Sequence, residues 1–118
     1  MNAGDVYFRI LGACHTPFVV LLDNEYKPMA LDKVMEFHEQ IASDYEVDFN
    51  DCDDFAWLFK SVAIKQKING VGFVMGHTPN GLHAWNICIT KDKVYQVEPQ
   101  TGEVFENNDD YTPWLVII

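Results

Sequence analysis

NDCDDFAWLFKSVAIKQKINGVGFVM, residues 50–75, changes its apolar period part-way along. Phe55, Leu58, Phe59, Val62 and Ala63 recur at intervals of three and four, the spacing of one helix face. Asn50 or Asp51 is a suitable N-cap, and Asn69-Gly70 is a stop signal, so the helix is expected to end near Lys67. From Val71 to Met75 the pattern reads as a strand. Working outward, His83–Thr90 and Val94–Val97 also read as strands. The turns between them are Pro79-Asn80-Gly81 and Lys91-Asp92-Lys93. Glu103–Phe105 and Trp114–Ile118 suit edge strands. Upstream, Leu31 to Ala42 carries Leu31, Val34, Met35, His38, Ile41 and Ala42 at helical spacing, and Asp44 to Asn50 is a polar connector. Residues 5–11 and 17–22, rich in Val, Tyr, Phe, Ile and Leu, read as strands. There is no internal repeat, low-complexity segment or linker. The order predicts one α+β domain over residues 1–118, with N-terminal helices packed on a small antiparallel sheet.

Composition bounds what such a domain does. At 118 residues the chain fits one domain, and 48% hydrophobic with 14% aromatic content supplies a core. Eight Lys and Arg against 18 Asp and Glu give a formal charge of −10. That balance excludes nucleic acid and anionic membrane as expected partners, since both are held by clustered cations. No basic n-region with an apolar stretch follows Met1, and no apolar run approaches ~20 residues, so the expectation is a cytoplasmic protein. Cys14, Cys52 and Cys88 are widely spaced and form neither a disulfide framework nor a zinc pattern. The acid is uneven: Asp44, Glu46, Asp48, Asp51, Asp53 and Asp54 crowd one segment, and no cation stands between Lys33 and Lys60.

Three segments carry chemistry: Asp51-Cys52-Asp53-Asp54-Phe55-Ala56, Leu82-His83-Ala84-Trp85-Asn86, and Val97-Glu98-Pro99-Gln100-Thr101-Gly102. Cys52 sits where a helix begins, and unpaired N–H groups there favour a thiolate. His83 opens one strand and Glu98 ends the next, so a tight hairpin brings both to its open end. A helix-borne thiol facing a strand-borne His that a carboxylate orients is a nucleophilic arrangement. Against it, Asp51, Asp53 and Asp54 disfavour a neighbouring thiolate. A bound cation resolves the conflict: Asp53 and Asp54, with Gln100 or Glu98 arriving from the strand, are hard oxygen ligands suited to Ca2+ or Mn2+. The plain alternative is that acids in a first helical turn simply favour the dipole. Asp44, Glu46 and Asp48 read as a solvated connector, and the spacing is not an EF-hand. His77 reads as surface and His38 as a satisfied core histidine. Trp85 shares the face of His83 as core or site wall, and Asn86 points to the other face.

The combination DCDDFA, HAWN and VEPQTG, spanning about residues 50–102, resembles the papain-like domain at the C-terminal end of certain mushroom agglutinins. It also resembles small phage and bacterial agglutinin-like proteins. A weaker resemblance is to transglutaminase-like proteins. The resemblance implies a papain-like or transglutaminase-like fold and a calcium-dependent cysteine peptidase or amidase. Cys52 would be nucleophile, His83 general base and Glu98 its orienting carboxylate, with Asp53, Asp54 and Gln100 at the metal. It implies a peptide or protein substrate and a homodimer. The alternative on the same fold is an inactive, metal-stabilised interaction or dimerisation module. No oxyanion-hole glutamine is recognisable upstream of Cys52, Gln40 lying on the first helix.

Overall fold

The computed structural model describes residues 1–118. Three helices flank one six-stranded sheet. In chain order these are α1 (Ala3–Cys14), β1 (Val19–Val20), a 3-10 turn (Leu31–Lys33) leading into α2 (Val34–Ile41), and α3 (Cys52–Lys65). Then come β2 (Val71–Thr78), β3 (Gly81–Ile89), β4 (Val94–Glu98), β5 (Glu103–Phe105) and β6 (Thr112–Ile117). The strand order is β1-β6-β2-β3-β4-β5. All neighbours are antiparallel except β1 and β6, which run parallel.

Several sequence expectations are corrected here. Residues 5–11 are helical, not extended. Asn2 caps α1 by accepting from the Asp5 N–H at 2.9 Å, and Val6, Ile10 and Cys14 bury one stripe at intervals of four. Residues 17–22 contribute only the two-residue β1. β6 is no edge strand: it lies between β1 and β2, because Val116 and Ile118 are fully buried and need cover. In α2 the buried face is Val34, Phe37 and Ile41, while Met35 is half exposed. In α3 the inward stripe is Phe55, Ala56, Phe59, Lys60 and Ala63, and Leu58 faces out.

The sheet has apolar packing on both faces. α1 covers Val74, Trp85, Ile87, Ile89, Val116 and Ile118. On the other face α2 and α3 enclose Phe37, Phe59, Val71, Cys88 and Val97. Burying a ring such as Phe59 contributes about 1.5–3 kcal/mol. Asn86 ties the second layer together: its Nδ2 donates to Ala56 O of α3 at 2.9 Å and to Gly72 O of β2 at 3.0 Å. No helix is long and apolar enough to cross a membrane.

Candidate functional site

The β3–β4 ladder runs from Ile89↔Val94 to Asn86↔Val97 and stops. Past it, His83 Nε2 lies 2.5 Å from Glu98 Oε1, and the Tyr111 hydroxyl donates to the same oxygen at 3.2 Å. Glu98 ends β4 in a tight turn whose Thr101 and Gly102 N–H groups donate back to Glu98 O. Gly102 has φ 78, and a Cβ there would stand 2.5 Å from Met35 Sδ, so the turn requires glycine. His38 Nδ1 donates to Pro99 O at 2.7 Å, anchoring the same turn from α2. His38 is thus a satisfied histidine that positions Glu98. Trp85 is fully buried beneath His83, with ring centroids 5.8 Å apart, and its indole N–H donates to Gln96. It is core that supports the imidazole.

Cys52, His83, Glu98 and Gln100 all line one cleft of about 670 Å³, together with Tyr45, Thr78, Asn80, Leu82, Asp110 and Tyr111. The structure therefore brings the three sequence-selected residues to one place. Gln100 stands on the cleft wall, its backbone N–H donating to Glu98 Oε2 at 3.4 Å. Tyr111 was not visible as a site residue in the sequence. It arrives from the loop before β6, thirteen residues after Glu98, and no local pattern marks it.

Asp51 and Asp54 form the capping box of α3, the Asp51 N–H donating to Asp54 Oδ2 at 3.2 Å. Carboxylate oxygens of Asp51, Asp53 and Asp54 all lie within 4.8 Å of one another. Asp51 thus joins the pair read from sequence. Facing Asp51 raises the carboxyl of Asp53 above its ordinary range. The Cys52 thiol is also raised, first by burial and then by Asp51 and Asp53. The Ala84 and Asp53 N–H groups oppose this and are outweighed. Cys14 and Cys88 are buried, with their thiols pushed up to about 11 and about 12.

Residues 11–118 match the family described as Ricin-type beta-trefoil lectin C-terminal domain. The chain belongs to that family. Among solved structures it is similar to PSL1a in complex with E64, with TM-score 0.85 and 25% identity over all of this chain and 51% of that one. It is also similar to the Polyporus squamosus lectin bound to the human-type influenza-binding epitope Neu5Acα2-6Galβ1-4GlcNAc, with TM-score 0.83 and 24% identity over all of this chain and 49% of that one. The chain thus spans about half the length of these structures. No curated protein matches it.

These findings correct the identity inferred from the three motifs. The matched family and the named lectin are described as lectins, not as papain-like or transglutaminase-like peptidases. The fold is accordingly that of the lectin family's C-terminal domain. Three helices around one sheet show no threefold hairpin repeat, so the chain corresponds to the domain named after the trefoil and not to the trefoil itself. The cysteine peptidase or amidase, its inactive dimerisation alternative and the peptide substrate fall with the peptidase assignment, which the description of the matched family does not carry.

Proposed function

We propose that the domain is a ligand-binding module of a lectin, with a glycan in the cleft between α3, β3 and β4. The observation that carries this reading is the cleft's lining. Polar side chains (Glu98, Gln100, Asn80) share the lining with the aromatic residues Tyr45 and Tyr111. Sugar hydroxyls need paired polar groups, and their C–H faces pack on aromatic rings; a concave site with few fixed polar groups provides both. The glycan held by the Polyporus squamosus lectin supports the ligand class. Cys52, His83 and Glu98 then serve as wall and contact groups, with His83 held in one orientation by Glu98.

The same reading includes a divalent cation, Ca2+ or Mn2+, at the start of α3. The donors are all carboxylate oxygens, which suits a hard ion. Asp53 and Asp54 would hold it with Asp51, and Gln100 stands on the cleft wall as a further candidate oxygen. The cation would supply charge compensation that rigidifies the α3 N-terminus.

The test is a titration of isotope-labelled domain with Galβ1-4GlcNAc, the neutral part of that epitope. Amide shifts confined to Cys52, His83, Gln100 and Tyr111 are expected. A folded domain whose cleft amides stay still up to millimolar sugar refutes the glycan reading.

A further inference from the structure

Glu98 is a carboxylate at 7% exposure, and no Lys or Arg pairs with it. Hydrogen bonds meet its charge instead. His83 Nε2 and the Tyr111 hydroxyl both reach Oε1, at 2.5 and 3.2 Å, and the Gln100 N–H donates to Oε2 at 3.4 Å. An ionised carboxylate only accepts, so the hydroxyl donates. Burial first, and then Glu98, raise the Tyr111 pKa, so that hydroxyl keeps its proton near neutrality. The ring of Tyr111 is held against Phe105 at 4.5 Å, Trp85 at 5.1 Å and His83 at 6.0 Å between centroids. Its loop is tied at both ends: Glu106 O accepts from Gln96 Nε2, and Asn108 O accepts from the Tyr111 N–H, both at 2.9 Å.

The other ring nitrogen, His83 Nδ1, bonds to nothing in the chain, yet it is open to solvent: Asn86 Oδ1 is the sole side-chain polar atom both sealed and unpartnered. With one face on Trp85 and Nε2 on Glu98, the imidazole meets the contents of the cleft through Nδ1. A neutral imidazole carries one ring proton. Beside an ionised Glu98 that proton sits on Nε2, and Nδ1 offers a lone pair. If Glu98 takes up a proton from solvent, it donates to Nε2 instead, and the ring proton sits on Nδ1. Donors from Tyr111 and Gln100 favour the ionised carboxylate, hence the bare Nδ1.

We propose that Tyr111 is the positioning residue of this cleft: through Glu98 it fixes the His83 proton on Nε2, so that Nδ1 meets the ligand as an acceptor for a hydroxyl. The inference rests on the glycan reading above for the ligand, and on these hydrogen bonds for the tautomer. A sugar hydroxyl loses its acceptor when the proton moves to Nδ1, while the shape of the cleft stays the same.

The experiment records nitrogen-15 imidazole spectra of histidine-labelled domain, parent and Tyr111→Phe, at matched pH, alone and with Galβ1-4GlcNAc. The substitution keeps the ring and removes only the donor. The parent is expected to show Nε2 protonated and Nδ1 bare, with Nδ1 shifting as sugar is added. In Tyr111→Phe the ratio of protonated to bare Nδ1 should rise about tenfold, as loss of one hydrogen bond to a charged group implies, and sugar binding should weaken with it. A neutral parent ring protonated on Nδ1 overturns the positioning role without need of a folded variant. A folded Tyr111→Phe with the parent's pattern overturns it too. Sugar that moves the Cys52 and Gln100 amides and leaves Nδ1 unmoved overturns the hydroxyl contact and keeps the glycan reading. The expected proton shift, with every cleft signal indifferent to sugar, upholds the positioning role and removes the glycan reading.

Discussion

Lys60 occupies an inward position of α3, 6% exposed, where its Nζ donates to Val71 O at 2.6 Å. Burial lowers its pKa, with Asp23 opposing weakly. A folded value below the unfolded one means the charged form disfavours folding at neutral pH. The group's stabilising contribution is present above the free-lysine value of about 10.4 and lost as pH falls through the lowered one. Lys60→Met keeps the apolar stem and removes the charge. It is expected to be about 1 kcal/mol more stable than the parent near neutrality, the gap narrowing as pH approaches the free-lysine value. Urea unfolding of both proteins across that range checks this, and a gap independent of pH contradicts it.

At the scale of the element, the α3 N-terminus is the most loaded segment. Its capping box satisfies backbone donors, yet the same geometry crowds three carboxylates together. The Asp51–Asp53 contact lowers the first carboxyl and raises the second, so the pair favours holding a proton or a cation between them. With the proposed ion present at a hundredfold excess over its Kd, stability rises by about 2.7 kcal/mol. For a chain of this size that is a melting shift on the order of 10 °C. Scanning calorimetry with Ca2+, with Mn2+ and with chelator measures it. Asp53→Asn should abolish the ion-dependent shift. A melting temperature indifferent to all three conditions removes the cation from the proposal.

For the whole molecule, the tie between layers is Asn86. It is fully buried, and its two donor bonds join the sheet to α3 while its Oδ1 has no partner. The cleft needs that tie, because Cys52 rides on α3 and His83 on β3. Asn86→Ala leaves Ala56 O and Gly72 O without these donors and is expected to destabilise by about 2–4 kcal/mol. Denaturant midpoints report the loss. The same variant should broaden the amide signals of Cys52 and His83 together, since both walls lose their common reference.

How far the chain could be read varied with the reach of the interaction. The N-cap at Asp51, the stop near Asn69-Gly70 and the hairpin turns depend on neighbours within a few residues, and they stand in the structure near where the pattern placed them. The approach of His83 to Glu98 was legible too, because one hairpin sets both distances to the turn. Residues 5–11 misled: their side chains favour strands, yet α1 forms because its stripe is buried against Val74, Trp85 and Ile87. Tyr111 and the insertion of β6 between β1 and β2 left no local mark. By itself the sequence determined where α3 and the hairpin turns begin and which acids crowd Cys52, since capping and charge act over one helical turn. Only the tertiary structure decided the strand order and the membership of the cleft, because burial and long-range contacts exist only once the layers have closed.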